Sequence, residues 1–184
     1  MHFAPDTEES LDFVVALANT VAGATKSGVD EIATVEQLHG LIGRFPFSGR
    51  IDRDADELAG VRDTRDWIRR IWTLDRENAV AAVNTMLRES NAVPQLVRHD
   101  GIDWHIHATD ESAPLAERIL VEVGLALVDV IRSDEMGRLR RCAADDCDGV
   151  LIDLSRNGSK RFCSVRCGNR MNMIAFRQRR ATES

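Results

Sequence analysis

Apolar positions recur at helical spacing along most of the first 133 residues and switch to alternation once, around residue 100. Leu11, Val14, Val15, Ala18 and Val21 share a face and predict a helix over 9–22, with Gly23 as its stop. Thr34 followed three residues later by Gln37 is a capping-box pattern. It opens a short helix through Leu38, Leu41 and Ile42, which the Phe45-Pro46-Phe47-Ser48-Gly49 stretch breaks. Asp54 begins a longer helix with Leu58, Val61, Arg65, Ile68 and Trp72 on one side and Arg62, Asp66, Arg69 and Arg70 toward solvent. Asp75 caps a further helix whose stripe is Val80, Val83, Met86 and Leu87, and Pro94 ends it.

Residues 95–99 and 102–108 read as strands flanking Asp100-Gly101, a hairpin signal. The alternation sets Ile102, Trp104 and Ile106 toward the helices. Asp103, His105 and His107 then face out or line an opening. From Ser112 to about Ser133 the pattern is helical again, with Pro114 in the first turn. Its centre, 119–131, is nearly all apolar apart from Glu122, Gly124 and Asp129. That suits the central helix of a bundle or part of a dimer interface.

Beyond residue 137 the pattern becomes short and broken. Val150-Leu151-Ile152 predicts a strand, 155–159 a turn, Arg161-Phe162 a returning strand, and Ser164 the N-cap of a helix through Arg180. Met173 and Phe176 are expected to pack against the knuckles or the body, and Gly168 to permit a close approach to the helix. Asn169 is expected to hold the local backbone, with a base edge as the other use.

All four cysteines of the 184-residue chain fall in this tail, as Cys142, Cys147, Cys163 and Cys167, spaced C-x4-C-x15-C-x3-C. Two close pairs on two knuckles can converge on one tetrahedral zinc. Two disulfides, a redox pair and unrelated buried thiols are the competing readings. The first ten residues are acidic, with no basic start and no apolar run, and no stretch approaches a membrane span. A cytoplasmic chain is therefore expected, where thiols stay reduced and clustered cysteines favour metal. Four cysteine ligands leave no open position, so one structural zinc ion is expected rather than a catalytic one. A module this small rarely folds without a staple, so metal removal is expected to unfold it.

Apolar content of 43% and charged content of 29% fit a globular protein. The net charge of -6 hides an asymmetry. Residues 1–137 hold 13 Lys/Arg against 25 Asp/Glu, a net of -12; residues 138–184 hold 11 against 5, a net of +6. The tail is thus the candidate for polyanion contact, through Arg156, Lys160, Arg161, Arg166, Arg170, Arg177, Arg179 and Arg180. A merely solvated basic face is the other reading of these residues.

The run Cys163-Ser164-Val165-Arg166-Cys167-Gly168-Asn169-Arg170, with Cys142-x4-Cys147 upstream and the Asp153-x-Ser155-x-Asn157 turn, closely resembles the CGNR zinc-finger family. In that family the finger follows an N-terminal ABATE domain, and the proteins are described as candidate stress-induced transcription regulators. Leu11-Asp12-Phe13 with Asn19-Thr20 resembles a diverged opening motif of that domain, and the strand and helix from Trp104 to Ile131 also resemble it. The resemblance implies a zinc-stabilised DNA-binding module beside a regulatory or sensing body, with the four cysteines as ligands.

The expected fold is α+β and mainly helical. An N-terminal helical domain with a small antiparallel β-hairpin spans 1–137 and is ABATE-like. A C-terminal treble-clef-like zinc module, a short hairpin plus helix, spans 138–184 and is of the CGNR type. The leading expectation is a DNA-binding transcription regulator, with an RNA-binding or protein-interaction module as the alternative. A homodimer would widen a small contact surface. Phe162 and Phe176 are poor equipment for stacking single-stranded bases. His105 and His107 are two apart and could hold a metal, but no third ligand, nucleophile elbow or phosphate loop accompanies them. No catalytic residue is assigned, and the chain is not expected to be an enzyme. A small-molecule effector pocket lined by Trp67, Trp72 or Trp104 is a further use of the body, with core packing as the plainer role of those tryptophans.

Overall fold

A computed structural model describes residues 3–45, 47–98 and 103–182. Helices α1 (Pro5–Ala18), α2 (Val35–Ile42), α3 (Ala55–Ile71) and α4 (Arg76–Glu89) precede a hairpin of β1 (Gln95–Val97) and β2 (His105–His107). Helix α5 (Leu115–Arg132) follows, then β3 (Leu139–Arg141), β4 (Val150–Ile152) and α6 (Val165–Thr182). A single 3-10 turn, Met136–Arg138, joins α5 to β3. This is the expected mainly helical α+β architecture, with two small antiparallel hairpins and a C-terminal cysteine cluster.

The helix starts follow the capping chemistry. Thr34 and Gln37 form a reciprocal capping box, and the Asp54 and Asp75 carboxylates accept from the N–H groups of Glu57 and Asn78. Helix α5 is central. It packs on α1, α3 and α4 and buries Leu115, Ile119, Val123 and Leu127 with Val14, Leu17, Val61, Ile68 and Val83. Pro114 sits at its N-cap position, one residue before the first turn.

Several boundaries differ from the pattern. Helix α1 begins at Pro5 and stops at Ala18, before Val21 and Gly23. The reason is Asn19, whose side chain leaves the helix to bond strand β4. Its amide donates to the Val150 carbonyl at 2.8 Å, and its Oδ1 accepts from the Val150 N–H at 2.7 Å. Gly23 serves the same seam, since its carbonyl accepts from the Asp148 N–H and a Cβ there would stand 2.1 Å from the Asp148 carboxylate. The partner of β4 is β3, in the register Leu139↔Ile152, and not 161–162. Residues 161–162 form no strand; the Arg161 carbonyl accepts a hydrogen bond from the Ala143 N–H.

Arg65 and Arg69 also depart from simple patterning. Arg65 is buried and forms a bidentate pair with Asp30 at 2.8 and 2.9 Å, which pins the loop between α1 and α2. Arg69, expected in solvent, donates to the carbonyls of Ala18 and Asp148. Trp72 is a core residue whose indole donates to the Leu151 carbonyl at 3.0 Å. Val150 belongs to the main core, and Ile152 packs with Leu11, Ala126 and Val130. The body therefore closes over β4.

The β1–β2 hairpin pairs as expected, Leu96 opposite Ile106, but with its faces reversed. Trp104, Leu96 and Ile106 are exposed, whereas His105 is buried. The inward face meets carboxyl-bearing residues of α1 and α5, and polar histidines suit that lining better than apolar side chains do. The expected Asp100-Gly101 turn lies outside the described residues.

Replacing Asn19 by Ala removes both bonds to β4 and leaves the Val150 N–H and carbonyl without this partner. The expected cost is about 2–3 kcal/mol in the denaturant-unfolding free energy of the zinc-loaded protein. An unchanged midpoint would show that the seam does not depend on Asn19.

Candidate metal centre

The sulfur cluster is built from three local pieces. The β3–β4 hairpin carries Cys142 and Cys147, the approach to α6 carries Cys163, and the first turn of α6 carries Cys167. Ser164 caps α6 as expected, its hydroxyl accepting from the Cys167 N–H at 3.3 Å. The four ligand atoms lie within 4.8 Å of one another. Sulfur separations are 3.6 Å for Cys147–Cys163, 3.8 Å for Cys163–Cys167 and 3.7 Å for Cys147–Cys167. Tetrahedral zinc with bonds of ~2.3 Å needs sulfur–sulfur edges of ~3.8 Å, so the donor set fits one structural zinc ion.

Backbone donors already aim at the sulfurs. The Gly149 N–H points at Cys147 Sγ at 3.4 Å and the Cys163 N–H at Cys142 Sγ at 3.5 Å. Such donors offset thiolate charge around a metal. Burial, reinforced by the neighbouring thiols, pushes Cys163 well above the ordinary thiol range, and burial pushes Cys147 up too. Burial acts on Cys167 in the same direction, but hydrogen bonds with Ser164 and the other thiols outweigh it and bring Cys167 down to about 7. Four thiols this close resist ionising together. A dication supplies the field that allows it, and protons leave as it binds.

The loop between β4 and α6 is organised by Asp153, which is fully buried. Its carboxylate accepts from the Ser155 N–H and hydroxyl, from the Lys160 N–H at 2.8 Å, and from Arg140 at 3.0 Å. This is the physical content of the Asp153-x-Ser155-x-Asn157 turn: one carboxylate gathers the loop that delivers Cys163. A methyl group has no room at Gly149, where a Cβ would stand 2.6 Å from Cys163 Sγ and 3.2 Å from Cys147 Sγ.

The basic residues separate into two sets. Arg166 donates to the carbonyls of Ala24 and Thr25, and Arg170 donates to Asp146 at 2.6 Å and approaches Cys167 Sγ at 3.8 Å. These two hold the module to the body and to its own knuckle. Arg156, Lys160 and Arg161 are exposed on the loop, and Arg177, Arg179 and Arg180 are exposed on the outer half of α6.

Met173 and Phe176 differ from expectation. They are 51% and 48% exposed, and it is Met171 and Phe162 that pack against the cysteines. The reason is angular: residue 171 lies one turn beyond Cys167 on the same helix face, and residues 173 and 176 do not. Asn169 is exposed, and its side chain makes no hydrogen bond among the described residues. Gly168 faces the Phe162 ring at 3.4 Å from a built Cβ, an ordinary packing distance that does not demand glycine.

Two family models match this chain. Residues 138–180 match the CGNR zinc finger, and residues 11–134 match ABATE, described as "Putative stress-induced transcription regulator". No curated protein matches the chain.

Purified protein is expected to carry one zinc per chain by metal analysis, and Cys167→Ser to lose it. Gly149→Ala is expected to weaken zinc retention against a competing chelator by roughly tenfold or more, through displaced sulfurs. Retention equal to the unaltered protein would mean that the sulfurs sit further from Gly149 than described.

Proposed function

Because this chain belongs to the ABATE family and carries a CGNR zinc finger, we propose that it is an intracellular DNA-binding regulator whose contact surface is α6 with the loop before it. The observation that carries this reading is the state of α6. From Asn172 to Thr182 the helix is exposed at every position except Ala175, which is half-buried. A zinc knuckle fixes its first turn, and Arg177, Arg179 and Arg180 crowd its far end. A helix held at one end and basic at the other suits a groove lined with phosphates. Asn169 and the exposed loop residues Arg156, Lys160 and Arg161 extend the same chemistry. Cys142, Cys147, Cys163 and Cys167 hold the zinc in this reading, and its role is structural. Arg166 and Arg170 act by positioning α6, through bonds to the body and to Asp146.

The body carries a net charge of -12 over residues 1–137, so it repels the polyanion that the tail attracts. That orients the protein with α6 foremost. One short helix reads few bases, so sequence selectivity calls for two copies on two half-sites. A second reading has its own observation: Met173, Ile174 and Phe176 are exposed between the arginines. They favour a protein contact along α6, including one with a second copy of the chain. The family descriptions are of a regulator and a zinc finger, and no residue is given a catalytic role. No described helix is long and apolar enough to cross a membrane.

Fluorescence anisotropy of the zinc-loaded protein with random duplex DNA, and with RNA, across a salt series tests this. Log affinity is expected to fall linearly with log salt. The variant with Arg177, Arg179 and Arg180 changed to Ala should bind more weakly, with a slope shallower by about 2–3. Tighter binding to RNA would replace duplex DNA as the partner, and no binding at low salt would leave the protein-contact reading.

A further inference from the structure

Away from the sulfur cluster, the body encloses a cavity of about 220 Å³ between α1, the loop before residue 49, strand β2 and α5. It is not the pocket that the tryptophans suggested. Trp72 is core, Trp104 is exposed, and Trp67 borders a separate groove between α3, α4 and α5. This cavity is instead walled by three phenylalanines. Phe13 meets Phe45 and Phe47 edge-on, at centroid distances of 5.0 and 4.6 Å.

The polar lining has a consistent sign. Asp6 and Glu9 face the cavity from α1, Glu111 from the segment before α5, and Glu122 from α5. Against these four carboxyl groups stands, among the described residues, one guanidinium, Arg118. Its donors are already directed elsewhere: Nε to the Ala113 carbonyl, and the two terminal nitrogens to the carbonyls of Ser48 and Arg50. The histidines form a chain. His105 Nδ1 lies 2.8 Å from the Asp103 carbonyl and so donates to it. His105 Nε2 in turn lies 3.1 Å from His107 Nε2. Glu122 is half-buried, and its carboxyl accepts no hydrogen bond among the described residues.

We propose that this cavity binds a small organic cation with an aromatic or otherwise apolar body, its charged nitrogen seated by Glu122 and Asp6 and its body held among Phe13, Phe45 and Phe47. Aromatic faces attract cations, most strongly where water is excluded, and carboxylates supply the opposing charge. At ~30 Å³ per water the volume equals about seven waters, which sets the ligand at one or two fused rings. An anionic ligand would meet four carboxyl groups and an arginine already committed to carbonyls.

Binding carries a proton signature. Burial pushes the Glu122 carboxyl up to about 7; His105 and Arg118 pull it down, and Asp6 pushes it further up. Glu9, Glu111 and His107 also face the cavity. A bound cation favours the carboxylate form, so binding releases part of a proton near neutral pH and weakens as pH falls below about 7. The proposal stands apart from nucleic-acid binding, because ligand affinity is measured on the protein alone.

The test is calorimetric titration of the full, zinc-loaded chain with 1-naphthylmethylamine, its uncharged analogue 1-naphthylmethanol, and 1-naphthoate. The amine is expected to bind at least about tenfold more tightly than the alcohol, and the acid not to bind. Glu122→Gln should remove the amine's advantage and leave the alcohol unchanged. Asp6→Asn, on the first turn of α1, checks the same charge should Glu122→Gln unfold. Phe47→Ala should weaken amine and alcohol together. Equal affinity for amine and alcohol, preference for the acid, or no binding of any of the three overturns the assignment.

Discussion

Val150, Leu151 and Ile152 are all buried, and their backbone is met from both sides. Strand β3 pairs with one edge. On the other side Asn19 takes the N–H and carbonyl of Val150, and the Trp72 indole adds a donor to the Leu151 carbonyl. The residue just before this strand, Gly149, lies beneath two sulfurs of the metal cluster. Zinc and the helical core thus grip adjacent points of the same short segment. Free energy that fixes the cluster also fixes β4, and a body that holds β4 preorganises two of the four cysteines. The change of charge near residue 138 marks a change of composition, while the packing runs across it.

That seam also explains what the arginines are for. Net charge alone makes the tail a uniform basic surface, but several guanidinium groups are consumed in building it. Arg69 joins α1 to the knuckle, Arg138 and Arg140 secure the loop after β4, Arg166 reaches back to the body, and Arg170 neutralises Asp146 beside the sulfurs. Planar, many-donor guanidinium groups suit carbonyl-rich turns in a module with little apolar core. The outward charge that remains is concentrated at the loop around Lys160 and the end of α6. The surface able to meet phosphate is therefore narrower than composition implies, and it is supported by the inward set.

Local chemistry was readable wherever one interaction decides the conformation. Thr34 with Gln37, Asp54, Asp75 and Ser164 each cap a helix as the sequence indicates, and the cysteine spacing leads directly to the cluster. The apolar run of α5 identifies the central helix for the same reason. Sequence failed where two environments competed. Alternation in 102–107 defines two faces but not which is inward, and an acidic cavity drew in the histidines. Asn19 falls inside the helix expected over 9–22 until β4 lies opposite it. Met173 and Phe176 look like core residues by type, yet the face that meets the knuckle is set by Cys167 and carries Met171. The tertiary partner, absent from any local window, settled each of these.

Helices α1 and α5 connect the two halves of the structure in a second way. Phe13 and Glu122 border the cavity, while farther along the same helices Asn19, Ala126 and Val130 hold β4. Both helices run unbroken over that span, so strain at the cavity has a contiguous route to the strand beneath the sulfurs. A route is not yet a switch. A ligand shifts an equilibrium only by the difference in its affinity for the two arrangements, and one that fits both equally moves nothing however tightly it binds. The half-buried carboxyl of Glu122, without a hydrogen-bond partner among the described residues, is where such a difference can arise, because a cation there changes the charge that the body encloses. The seam would convert that change into a signal only if β4 has a second seat, and the close fit around Asn19, Trp72 and Gly149 limits how far it can travel.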